Sequence, residues 1–114
     1  MGVRSEVYQV TIERDPATGV VVRETWANEE QLPHRPDGPA QINRDSKTGV
    51  ITSEAWLQNG HLDRLDGPAQ ILRNAKTGSI YYSAWYRRGR KIQAPKSPRT
   101  RSKATSKNAL PRLG

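Results

Sequence analysis

Cysteine and phenylalanine are both missing from this 114-residue chain, and three Trp and four Tyr are its only large aromatics. Without cysteine there is no disulfide staple, no thiolate metal ligand and no thiol nucleophile, a composition suited to a reducing compartment. Hydrophobic residues make up only 33% of the chain. A folded body of roughly 90 residues with that composition has a thin core and little room for a deep, dry catalytic cavity. No apolar run approaches the length that spans a bilayer, and the opening Met1-Gly2-Val3-Arg4-Ser5-Glu6 lacks the apolar stretch of a signal peptide. The expectation is a soluble, cytoplasmic protein with no membrane partner.

Acidic residues disappear after position 66. Residues 1–86 hold nine Lys/Arg against eleven Asp/Glu, a net of −2, whereas residues 87–114 hold ten Lys/Arg and no acid, a net of +10. The overall +8 therefore belongs to the last quarter of the chain. A near-neutral body followed by a polycationic arm has polyanions as its natural ligands.

What the body does contain is a repeat of 29 to 30 residues. Thr18-Gly19, Thr48-Gly49 and Thr77-Gly78 mark one position, and Trp26, Trp56 and Trp85 mark another. Asp37-Gly38-Pro39-Ala40-Gln41-Ile42 returns as Asp66-Gly67-Pro68-Ala69-Gln70-Ile71. Alternating apolar and polar residues predict first strands over 10–14, 40–44 and 69–73, and β-branched and aromatic residues predict second strands over 20–26, 50–57 and 79–86. Between them, Asp15 to Gly19, Asp45 to Gly49 and Asn74 to Gly78 have the chemistry of a type I turn closed by a left-handed glycine. Asn59-Gly60 and Arg88-Gly89 fit primed hairpin turns, while Glu29-Glu30 in the first copy requires a wider one.

The resulting fold class is all-β: an antiparallel meander of three tandem β-hairpin units, about 8–36, 37–65 and 66–92. Together these form one domain over 1–92, followed by a flexible, disordered basic tail over 93–114. The three tryptophans are expected to pack as core against the Pro and Ile of a neighbouring unit. An exposed aromatic ladder that stacks bases is the alternative.

The pattern carried by Trp56, Asn59, Gly60, Leu62, Arg64, Asp66, Gly67, Pro68 and Ala69 recurs over Trp26, Leu32, Arg35, Asp37, Gly38, Pro39 and Ala40. It resembles a repeat of bacterial and phage proteins broadly akin to MORN-type β-hairpin repeats. The resemblance covers roughly residues 8–92. It implies a scaffold that presents a sheet face or edge to another macromolecule. It also makes a small phage-encoded inhibitor of a host defence system, such as a CRISPR effector, one form the design can take.

Signals for chemistry are weak. Arg35 with Asp37, and Arg64 with Asp66, are expected to tie down the Gly-Pro reversals, with an anion or partner surface formed by Arg35 and Arg64 as the alternative. His34 and His61 lie at non-equivalent positions beside turns, and neither thiols nor a His/Glu motif accompany them, so no metal site and no cofactor are expected. There is no phosphate-binding Gly-rich loop and no nucleophile elbow. The expectation is a non-enzymatic protein.

Arg87, Arg88, Arg90 and Lys91 cluster where the last strand leaves the sheet, and Lys96, Arg99, Arg101, Lys103 and Lys107 continue the basic run. Such an arm tracks phosphates without reading bases. Two functions follow as expectations: an adaptor or inhibitor docking on a protein or nucleoprotein complex, or a direct nucleic-acid-binding protein. The sheet edges near residues 8–14 and 90–92 further allow a homodimer by edge pairing.

Overall fold

The computed structural model describes residues 2–95, so Lys96, Arg99, Arg101, Lys103, Lys107 and nearly all of the expected tail lie outside the described residues. Every assigned element is a strand: β1 (Gln9–Arg14), β2 (Val21–Ala27), β3 (Gln41–Arg44), β4 (Ile51–Ala55), β5 (Leu57–Gln58), β6 (His61–Leu62), β7 (Gln70–Arg73), β8 (Ile80–Arg87) and β9 (Arg90–Ile92). The main sheet has the order β1-β2-β3-β4-β7-β8-β9, and β5-β6 forms a separate pair. All the ladders are antiparallel.

Local chemistry dictates the first type of reversal. Asp15 Oδ1 accepts from the amides of Ala17 (2.7 Å) and Thr18 (3.3 Å), and Thr18 Oγ1 accepts from Val20 N. Asp45 Oδ2 does the same for Lys47 and Thr48, and Asn74 Oδ1 for Lys76 and Thr77. Each loop closes with the glycine amide donating to the carbonyl of the Asp or Asn that opens it. Gly19, Gly49 and Gly78 hold φ of 79°, 78° and 79°, a region any L side chain enters at a cost. Beside each loop the register shifts, between Glu13/Arg14, Asn43/Arg44 and Leu72/Arg73, where the second strand carries one extra residue, Val22, Thr52 and Tyr81.

The second type of reversal departs from a continuous meander. At Trp56 the strand breaks, and Leu57–Leu62 leaves the main sheet as the β5-β6 hairpin. The cause is a change of partner. The Trp amides still continue the ladder to the following strand, Trp26 N to Ala40 O and Trp56 N to Ala69 O (2.8 and 2.7 Å), but Leu57 pairs with Leu62 instead. Beyond that point the chain folds back on itself. Asn59 (φ 50°) with Gly60 (φ 86°), and Arg88 (φ 52°) with Gly89 (φ 84°), both central residues being left-handed, make two-residue primed turns.

The first tip is wider, as its lack of glycine requires. Gln31 takes the left-handed position (φ 69°), and Asn28 Oδ1 accepts from the amides of Glu30 and Leu32. The three tips stand in a row. Gly60 N donates to Pro33 O and Gly89 N to Leu62 O, each at 2.8 Å, so every later tip rests on the return limb of the one before.

The interior is not the aromatic core that composition implies. Its most buried hydrophobic residues are small or aliphatic: Ala40, Ile42, Leu57, Ala69, Ile71 and Ala84. Burying an Ile or Leu side chain is worth ~1.5–3 kcal/mol, and only three such residues reach that depth. All three tryptophans are half-buried, and a guanidinium lies over two of them.

Candidate functional site

Arg35 lies over the Trp26 ring, its Cζ 4.1 Å from the centroid, and Arg64 lies over Trp56 at 3.7 Å. The sequence brings them there through the backbone: Arg35 N bonds Leu57 O and Arg64 N bonds Tyr86 O, which fixes the return limb above the ring. Each guanidinium then donates forward, Arg35 Nη1 to Pro39 O (3.2 Å) and Arg64 Nη1 to Pro68 O (3.0 Å). The far side of the guanidinium meets glycine. A Cβ on Gly38 would stand 2.7 Å from Arg35 Nε, and one on Gly67 2.6 Å from Arg64 Cζ. The Asp-Gly-Pro signal thus reads physically as the top layer of a tryptophan–arginine–glycine stack.

Carboxylates complete the first stack and hold the strands together. Glu24 accepts from Trp26 Nε1 (2.9 Å) and pairs with Arg35 (3.6 Å) and with Arg44 of the next strand (3.8 Å). Glu54, at the equivalent place before Trp56, pairs with Arg73 at 3.1 Å. Trp56 Nε1 is buried and has no hydrogen-bond partner among the described residues. Asp66 reaches Arg64 Nε only at 3.4 Å and is mostly exposed, so the Arg-X-Asp spacing ties the loop less firmly than the Trp beneath it does.

Arg35 and Arg64, weighed above as a partner surface, have their guanidiniums already occupied and are only 25% and 21% exposed. Trp85 is different. Among the described residues no guanidinium lies over its ring, Ser83 stands where Glu24 and Glu54 stand in the other hairpins, and Gln93 stands in the place of Arg64.

The tips form a charge gradient. The first carries Glu29 and Glu30, the second the neutral Asn59-Gly60 beside exposed His61, and the third Arg88, Arg90 and Lys91. Arg87, expected among the phosphate-binding cations, instead donates to Asp63 at 2.8 Å across the tips. Arg88, Arg90 and Lys91 are exposed, with Lys91 Nζ 3.5 Å from Tyr82 Oη.

Sequence reasoning missed a cluster at the acidic end. Tyr8 stacks on His34 (centroids 5.8 Å apart, planes 5° apart) and leans against Trp26. His34 Nδ1 accepts from Asn59 N at 2.9 Å, so this histidine locks the first return limb to the second tip. Hydrogen bonding to Glu6 holds the Tyr8 hydroxyl above its ordinary pKa. These groups border an open cleft of ≈ 380 Å³ that also touches Glu29 and Glu30. Only the position of His34 just before Arg35 hinted at such a contact.

Among the described residues no three His, Asp or Glu side chains converge as a metal site would require. No protein-family model, curated protein or solved structure matches the chain.

Proposed function

We propose that the chain is a non-enzymatic binding protein of three β-hairpin units that docks on a protein or nucleoprotein complex and contacts phosphate with its basic end. One observation carries this reading: formal charge is segregated along the row of tips, from Glu29 and Glu30 at one end to Arg88, Arg90 and Lys91 at the other. The basic sequence of residues 96–114 continues from that cationic end. A long-range field of this kind steers a partner of mixed charge and fixes its orientation. Its clefts are open to solvent, a setting for contact rather than for proton transfer in an enclosed site.

The resemblance to phage and bacterial repeat proteins gives this reading its more specific form, a phage-encoded inhibitor of a host defence complex such as a CRISPR effector. Direct nucleic-acid binding is the second reading, and the exposed cations of the third tip favour it. Affinity capture with the full chain at low and high salt separates the two. Docking on a complex predicts a stoichiometric protein partner retained at high salt. Pure phosphate binding predicts only nucleic acid, released as salt rises, with a slope of about −0.9 per phosphate neutralised on duplex DNA. Recovery of neither would overturn both.

A further inference from the structure

The exposed apolar residues of this protein are not scattered. Val7, Val10 and Ile12 lie in or beside β1, at one end of the strand order, and Ile80, Tyr81 and Tyr82 lie on β8, next to the short last strand β9 that carries exposed Ile92; among the described residues the other large apolar side chains this exposed are Val3, Leu32 and Leu65. Repeat arrays that stay monomeric place polar surfaces at their ends. Here both ends are apolar, and both expose backbone.

The interior shows which edges are open. Trp26 donates to Ala40 O and Trp56 to Ala69 O, so Ile42 and Ile71, two residues on, turn their amides toward the preceding strand. Ile12 faces Glu24 across β2 as Ile42 faces Glu54 across β4, which puts the Ile12 amide on the outer edge of β1. At the other end Ser83 faces Ile71 from β8, and among the described residues its outer edge has no strand partner, because β8 pairs with β9 only from Trp85 on. The open stretch is therefore Tyr82–Ala84, upstream of the edge at 90–92 expected from sequence.

The two edges are complementary rather than alike. β8 presents the side of a second strand that β4 offers to β7, and β1 presents the side of a first strand that β7 offers to β4. Continuing the pattern also sets the third tip of one copy beside the first tip of the next, because successive tips touch throughout the row. There the charges match: Arg88, Arg90 and Lys91 against Glu29 and Glu30.

We infer that the protein self-associates head to tail: the outer edge of β8 pairs antiparallel with the outer edge of β1 of a second copy, Ser83 opposite Ile12, while the basic tip meets the acidic one. The junction between copies is weaker than those within a chain. Val10 replaces the fully buried Ala40 and Ala69, and Ser83 replaces the carboxylate that binds Arg44 or Arg73, leaving Arg14 of the second copy without an ion-pair partner. The assembly is consequently reversible and salt-dependent, and its contact is heterologous, adding copies in series. The occupant is the chain itself, so this association stands or falls separately from docking on another macromolecule.

The test uses sedimentation velocity on the full-length protein and two edge-blocked variants, Ile12→Pro and Ser83→Pro. Each removes an outward amide and leaves the inward ladder intact. Wild type is expected to gain mass with concentration and lose it with salt. Each blocked variant alone is expected to stay monomeric, and an equimolar mixture to form a discrete dimer, because each supplies the end the other lacks. A blocked variant that dimerises alone would mean that like ends pair, and a wild type monomeric at every concentration would mean that the ends are covered otherwise; either overturns the inference. Should proline unfold a variant, as circular dichroism would reveal, charge reversal at the tips takes its place. Arg88→Glu with Arg90→Glu is expected to weaken association about tenfold at low salt, and pairing it with Glu29→Arg and Glu30→Arg in the same chain to restore it. No weakening would contradict the predicted tip contact.

Discussion

Trp56 and Trp85 occupy the same place in their hairpins and have opposite fates. Over Trp56 lie the Arg64 guanidinium, the buried Gly67 and the Pro68 carbonyl that Arg64 reaches, and beside it Glu54 holds Arg73 of the next strand. In the sequence the positions matching Arg64, Gly67 and Glu54 hold Gln93, Lys96 and Ser83, and no cation covers the Trp85 ring among the described residues. The difference teaches that the tryptophan does not make the junction by itself. The following segment does, by delivering a planar cation, a residue without Cβ and a hydrogen-bonded carbonyl in fixed order. A half-buried indole with such a cover is a joint, and one without it is an end.

Truncation measures that contrast most strongly. Trp56→Ala should destabilise the protein by about 3 kcal/mol, and Trp85→Ala by about half as much, read from chemical denaturation at neutral pH. Equal losses would mean that the cover contributes nothing. Next in size is Gly38→Ala, expected to cost about 2 kcal/mol. The residue has φ of 147°, a region almost reserved for glycine, and its new methyl would also displace Arg35 from Trp26. The control is Gly19→Ala, which meets no neighbouring atom and is expected to cost about 1 kcal/mol.

The smallest effect concerns pH. Backbone amides of Thr48 and Lys47 hold the Asp45 carboxyl below its ordinary pKa. A lowered folded value means that this contribution is present above the unfolded carboxylate pKa and is lost as pH falls through the folded one. Asp45→Asn, which copies Asn74 of the third turn, should remove that acid-side loss while keeping the turn, as monitored by melting temperature against pH.

The turns and strands were legible because their determinants are local. Asp or Asn followed four residues later by glycine specifies its loop from within, so the expected strand limits fall within one residue of β2, β3 and β7. The covering arginines were not legible. Trp26 and Arg35 are nine residues apart and Trp56 and Arg64 eight, across a turn of different length in each case, and no strand or helix period marks such a pair. A count of apolar residues likewise assigns tryptophan to the core, whereas a guanidinium placed over the ring covers it without burying it among hydrocarbon. The departure of Leu57–Leu62 from the main sheet escaped for the same reason: Leu57 pairs with Leu62, and the hairpin is held by the distant preceding limb, through Arg35 N to Leu57 O and Gly60 N to Pro33 O.

Amide hydrogen exchange, followed residue by residue at low and high protein concentration, tests the claim that interior junctions are closed and the two ends open. In dilute solution the Glu24 and Glu54 amides, which face the next strand, should be protected, and those of Ile12 and Ser83 should exchange at nearly the free-chain rate. On concentration, Ile12 and Ser83 should gain protection together. A Ser83 amide as protected as that of Glu54 in dilute protein, or one unmoved by concentration while mass increases, would contradict the account.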